Sequence, residues 1–229
     1  EAFGVDNNPH RVIELCKKGY FIGMMPRQSD VYIVCVYATD QVLSAIKSIN
    51  YDNHPLVSLE STINPDFLQE ICDLADKNKF DLVAFPHRYN PNDAEHRVFN
   101  LHRVLGAHTE KAQQRAIGFY KQFMPEEYIN CVPLQIAVLS KLVENAYRFF
   151  EISFAQELRK SCEAKGIDFE ALRKAANTKW NIDIKEARDG IKGKCLPKDT
   201  KILADFFNDE LFKQVIEENE KYTKKHSKQ

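Results

Sequence analysis

Residues 30–39, "DVYIVCVYAT", decide the fold. A strand with one wet face alternates polar and apolar residues. This run does not alternate, so it reads as a strand buried on both faces, the mark of a parallel sheet. Residues 41–49, "QVLSAIKSI", follow at helical period. The pairing of strand and helix repeats on both sides. Residues 2–6, "AFGVD", read as a short strand, and a helix starts near Pro9 in "NPHRVIELCKKG". Residues 55–62, "PLVSLEST", are a further strand before a helix through Ala75, and 80–86 and 102–107 are two more strands. Strands alternating with helices predict an α/β, Rossmann-like parallel sheet.

After residue 110 the pattern changes. Residues 111–123 are helical, and Pro133 opens a helical pattern to Lys165 that Gly166 ends. About 30 residues at 1.5 Å each make a rod of roughly 45 Å. Its first half, "LQIAVLSKLVENAYRFFEISFA", is apolar on most faces and so is expected to be buried on several sides. A helix at 168–178 starts from the N-cap candidate Asp168. A loop and a last helical run from Thr200 follow, and 223–229 read as a frayed tail. Residues 1–110 are thus expected to form a Rossmann-like domain, and 111–229 an all-α domain.

A net charge of −1 gives no general attraction to nucleic acid or to an anionic membrane, and no apolar run reaches a membrane span. The six cysteines form no C-x-x-C pair and no zinc spacing, so no metal is expected and a reduced, cytoplasmic setting fits.

Three places could carry chemistry. Asp6 ends the first strand. It either accepts hydrogen bonds from a cofactor ribose or merely caps the next helix. The glycine fingerprint that goes with the ribose role would fall about 20 residues earlier, before Glu1. Lys141 and Asn145 share one helix face, extended by Arg148. That face is either a solvated stripe or a placed cation. Cys195 lies in "GIKGKCLPKDT" (190–200), outside any apolar run. Glycines there allow close backbone approach, and Lys192, Lys194 and Lys198 favour the thiolate. It is either a nucleophile or an incidental turn residue.

Together these pieces resemble the UDP-glucose/GDP-mannose dehydrogenase family. "GIKGKCLPKDT" is similar to that family's G-x-G-G-x-C-x-P-x-D, and "LSKLVENAYRFF" to its central helix with K-L-x-x-N-A-Y. "LESTI" (59–63), "VCVYAT" and "GVDNNPHRVIEL" are similar to its E-S-T, V-x-V-x-T-P and G-V-D segments, in the family's order. The resemblance implies an NAD-dependent oxidation of a nucleotide sugar at C6 to the uronic acid, in a homodimer formed through the central helical domain. Cys195 would be the nucleophile, and Lys141 would stabilise negative charge on the substrate oxygen. Asn145, Asp199 and Thr62 would order a water. Asp6, Tyr37, Thr39, Thr62 and Lys198 would contact NAD.

Three features depart from the family. His87, in "FPHRYNPNDAEH", stands where a Glu assisting thioester hydrolysis is usual, so His87 is either its replacement or a satisfied loop histidine. The connector "KKGYFIGMMPRQS" is short, so a strand and a helix are expected to be missing there. No counterpart of the nucleotide-gripping C-terminal domain follows Lys221. "CLPKD" leans towards UDP-glucose or GDP-mannose, and "AANTKWNI" with the His87 region towards N-acetylated hexosamines; a UDP-sugar is favoured. The alternative is a truncated, non-catalytic homologue that serves as a dimerising or binding module. A thiol hydrolase is a third reading, but no motif supplies its histidine.

Overall fold

The computed structural model describes residues 2–90 and 93–226. The chain forms two compact units, residues 1–138 and 139–229.

In the first unit, β1 (Gly4–Val5) leads to α1 (Pro9–Lys17) and β2 (Ile22–Gly23). Proline opens α1 without missing its N–H, and Asn8 Oδ1 accepts from the amides of His10 (3.0 Å) and Arg11 (3.3 Å). β1 and β2 pair in parallel as a small sheet. The short connector therefore does hold a strand. With two residues it is below the length at which a period shows.

The main sheet has the order β3 (Val31–Val34), β4 (Leu56–Leu59), β5 (Asp81–Ala84), β6 (Arg103–Ala107), β7 (Ile129–Pro133). β3, β4 and β5 run parallel to one another; β7 runs parallel to β6, and β6 runs antiparallel to β5. Reaching an antiparallel neighbour needs no helical crossover, which is why no helix separates these two strands. Side chains alternate between two cores. Val57, Leu59, Leu82 and Ala84 face α2 (Thr39–Lys47) and α3 (Leu68–Asn78), while Leu56, Val83 and Phe85 face α4 (Glu110–Tyr120). β4 and β5 are buried on both faces, whereas the edge strand β3 leaves Ile33 48% exposed, so its lack of alternation overstated its burial. Gly106 is needed where α5 (Leu134–Lys165) begins, because a Cβ there would lie 2.7 Å from Leu134 Cα and 2.6 Å from Ala137 Cβ.

The second unit holds most of α5, then α6 (Phe169–Ala176), α7 (Cys195–Phe207) and α8 (Glu210–His226). Gly166, at φ 67°, ends α5, and Asp168 Oδ1 caps α6 by accepting from Ala171 N at 3.1 Å. Leu142, Ala146, Phe149, Ile152, Ala155 and Cys162 form the buried face of α5. The expected tail is helical as far as His226, and 227–229 lie outside the described residues.

Candidate active site

In the second unit α5 and α7 bring three expected residues together. Asn145 Nδ2 donates to Asp199 Oδ2 at 2.5 Å, and Asp199 is only 1% exposed. Lys198 Nζ lies 3.4 Å from Asp199 Oδ1. Lys141, half-buried, is one turn before Asn145 on the same face of α5.

Cys195 is the first residue of α7, four before Asp199, so the two share a helix face. The expected loop is a helix from Cys195 onwards. Pro197 suits that first turn because its missing N–H would have no partner there. Thr200, buried, donates its hydroxyl to Leu196 O at 2.7 Å, which tightens the turn. The thiol is exposed and stands at the positive end of a 13-residue helix. The arrangement puts an exposed thiol, a carboxylate held by an amide, and two ammonium groups on α5 and α7, residue types that can support covalent and proton-transfer chemistry.

The other expected residues belong to the first unit. At the carboxyl ends of β3 and β4 two loops are laced together. Val34 O accepts from the amides of Glu60 (3.0 Å) and Ser61 (3.2 Å). Ser61 Oγ accepts from Val36 N at 2.7 Å, and Thr39 Oγ1 accepts from Asn64 N at 2.9 Å. Gln41 Oε1 holds the amides of Tyr37 (3.1 Å) and Ala38 (3.3 Å). Thr62 sits half-buried in this lacing, and the Tyr37 ring is exposed. The carboxyl end of parallel strands is where such sheets bind nucleotides.

His87 follows β5. Its amide donates to Glu60 O at 3.3 Å, and its Nδ1 accepts from Tyr89 N at 3.1 Å. That places the proton of the neutral ring on Nε2. Asp6 accepts from Asn8 N at 2.8 Å and pairs with Arg11 at 3.2 Å, so in this structure its carboxylate supports the start of α1.

The sequence reading missed a buried network behind these loops. Arg103 is 2% exposed, lies over the Phe85 ring at 3.8 Å, and pairs with Glu60 at 3.0 Å. Tyr120 donates to Glu60 Oε1 at 2.9 Å and accepts from the Ser58 hydroxyl at 2.6 Å. Burial, then the Glu60 carboxylate, pushes the Tyr120 hydroxyl far above its usual range. The available signal was an arginine inside the apolar strand "HRVLGA" and a glutamate ending another, a pairing that burial requires.

A separate cavity of about 470 Å³ lies at the amino ends of β4 and β5. Its charges satisfy one another, with Asp81 held by Arg115 (3.0 Å) and Lys111 (3.4 Å), and Asp76 by His108 (3.0 Å). Among the described residues no cluster of three or more metal-ligating side chains occurs.

The fold is a mixed α/β unit followed by a helical unit with a thiol at a helix start. Residues 135–221 match the central domain of the UDP-glucose/GDP-mannose dehydrogenase family. It is 28% identical over 202 residues to the UDP-N-acetyl-D-mannosamine dehydrogenase of Methanococcus vannielii, covering 81% of this chain and 46% of that protein. It is 31% identical over 136 residues to the UDP-N-acetyl-D-glucosamine 6-dehydrogenase of Pseudomonas aeruginosa, covering 56% and 32%. The solved UDP-N-acetyl-mannosamine dehydrogenase of Staphylococcus aureus superimposes with a TM-score of 0.79 at 23% identity, over 96% of this chain and 62% of that one. The chain spans about half the length of several of the curated relatives it matches.

Proposed function

We propose that this protein takes part in the NAD-dependent oxidation of a UDP-N-acetylhexosamine or UDP-hexose at C6 to the uronic acid. The Asn145–Asp199 hydrogen bond, one helical turn from Cys195, carries the reading. The names of the curated relatives support a nucleotide sugar and favour the N-acetylated class.

NAD⁺ accepts a hydride in each of the two oxidations. In the first, the C6 hydroxyl gives its proton to a water held by Asn145 and Asp199, leaving an aldehyde. Cys195 Sγ then bonds to the aldehyde carbon, forming a thiohemiacetal. Lys141 stabilises the negative charge on its oxygen. Loss of the second hydride gives a thioester. Water cleaves the C–S bond, returning the thiol and releasing the carboxylate.

For the cofactor, the laced loops of the first unit offer Tyr37, Thr39 and Thr62, with Asp6 for the ribose and Lys198 as a cation. These residue types fit the nicotinamide and ribose portions. The sequence contains no G-x-G-x-x-G, so no residue here is assigned to the pyrophosphate. His87 is assigned to thioester hydrolysis. It would act as a base once Tyr89 N–H releases its Nδ1.

We also propose a homodimer. Val143, Tyr147 and Phe154 lie along one side of α5 and are 48%, 67% and 59% exposed. Aromatic surface on a long helix calls for a cover, and a second copy supplies one by symmetry.

The test supplies UDP-N-acetylmannosamine and NAD⁺, and follows NADH by absorbance and the protein by intact mass. Two NADH per uronate, with an acyl adduct trapped on Cys195, are expected. Absence of both NADH and adduct from the full-length protein overturns the reading.

A further inference from the structure

Between α6 and α7 the chain is irregular, and Gly190 and Ile191 meet α8. There Asn219, 6% exposed, accepts from Ile191 N through Oδ1 at 2.9 Å. Gly190 has φ 96° and lies flush on Thr223, where any Cβ would overlap Thr223 Oγ1. The Ile191 side chain is buried against Phe149 and Ile152 of α5, with Val215 and Ile216 of α8 packed on the same cluster. Just upstream, Arg159 of α5 donates to Ala187 O at 3.1 Å and lies 3.4 Å from Asp189.

Residues 187–191 are therefore pinned, and only Lys192, Gly193 and Lys194, all exposed, separate the pin from the thiol. No side chain caps the start of α7. The placement of its first turn depends on where Ile191 is held. A buried amide that spends its acceptor on one loop N–H is costly to lose, because the donor is then left unpaired.

We propose that Asn219 is the positioning residue of the nucleophile segment, holding Cys195 at the amino end of α7 through the Ile191 amide. This rests on the reading of Cys195 as the nucleophile. Near the helix start, orphan N–H groups stabilise negative charge on sulfur or on an oxygen bonded to the captured carbon. Released from Ile191, the segment lets that turn fray and the sulfur leaves the field.

The test measures alkylation by iodoacetamide in each cysteine peptide of the intact chain, by mass spectrometry, in the parent, Asn219→Leu and Asn219→Asp. Leu keeps the volume and removes the acceptor, whereas Asp keeps an acceptor. Cys162, buried in the same unit, reports general loosening. The expected result is a Cys195 rate at least threefold slower in Asn219→Leu, unchanged Cys162, and recovery to within twofold in Asn219→Asp. A Cys195 rate that stays the same or rises, or an Asp variant as slow as Leu, overturns the proposal. Faster Cys162 alkylation in Asn219→Leu does so too, since Asn219 would then be only a core residue. None of these rates needs turnover, so a failed dehydrogenase assay and a failed anchor give different results.

Discussion

Two buried carboxylates, one in each unit, are held in opposite ways. Glu60 faces a full guanidinium, a tyrosine hydroxyl and an aromatic box, with side-chain exposures of 8% for Glu60 and 2% for Arg103. Asp199, as deeply buried, is met by a neutral amide at 2.5 Å and by an ammonium at 3.4 Å whose side chain is 22% exposed. The first arrangement is closed, with charge balanced in place, so it fixes geometry. The second sets a carboxylate against a neutral amide and a partly exposed ammonium, four residues along α7 from the Cys195 thiol, and is the one we propose takes part in the chemistry. Burial alone does not separate a structural charge from a chemical one; the mobility and charge of its partners do.

The sharpest way to break this contrast is to remove one centre from each side and read both activity and stability. In the full-length enzyme Cys195→Ala is expected to lower uronate formation by about a thousandfold or more. It should leave the urea midpoint near that of the parent, because an exposed side chain contributes little to packing. Residual uronate within about tenfold of the parent would end the nucleophile role.

Arg103→Leu should do the reverse. It strands Glu60 without its cation, a loss of about 3–5 kcal/mol in urea unfolding. The pair Arg103→Leu/Glu60→Leu is expected to recover at least half of that, since well-packed apolar residues can replace a buried ion pair. Single and double variants of equal stability would show that the network is not closed.

Much of this contrast was legible in the sequence, and part was not. The βα units read correctly, β4 and β5 because strands buried on both faces have no alternation, although β3 has the same pattern with Ile33 exposed at the sheet edge; Asp168 and Gly166 punctuate helices by local chemistry alone. β2 and β7 were missed because a two-residue strand and the mixed polarity of "INCVP" carry no period. The start of α7 was read as a loop because glycine and proline dominate its propensity. Pro197, though, falls in the first turn, where proline is harmless. Lys141, Asn145 and Asp199 were named through a family motif. Their hydrogen bond depends on how α5 meets α7, which no local pattern encodes. Asn219 was invisible for the same reason, as a polar residue in a charged helix.

A smaller effect separates the units at high pH. In the first unit burial pushes the Tyr51 hydroxyl up to about 12, with Tyr32 adding to it, and holds Tyr120 higher still. The unfolded chain ionises these groups near pH 10 while the fold keeps them protonated. Their contribution is therefore complete below about pH 10 and drains away as pH rises towards 12. In the second unit Tyr222 is raised as well, by burial, but partly offset by Arg159. Urea midpoints at pH 9, 10 and 11 should fall, and Tyr120→Phe should flatten that fall while lowering the pH 9 value. An equal slope in parent and variant would remove Tyr120 from the account.

The smallest effect concerns two helix ends of the same shape. Lys79 closes α3 with φ 57° and ψ 45°, and Asn208 closes α7 with φ 49° and ψ 41°. A side chain in this left-handed region crowds its own carbonyl by about 1 kcal/mol, and asparagine suffers least. Lys79 has no such exemption. What its position needs is the backbone carbonyl, which accepts from His54 Nδ1 at 2.9 Å and would survive a change to glycine. Asn208 also uses its side chain, accepting from Lys213 Nζ at 2.7 Å. Glycine costs unfolded-state entropy at both sites, about 0.5–1 kcal/mol. The relief of strain outweighs or matches that cost at Lys79, while at Asn208 there is less strain to relieve and a contact to lose. Lys79→Gly should therefore raise stability by up to about 0.5 kcal/mol, and Asn208→Gly should lower it by a similar amount. Urea midpoints of the two variants, measured side by side, decide it: shifts of the same sign would show that the left-handed backbone, not the residue occupying it, sets the energy of both ends.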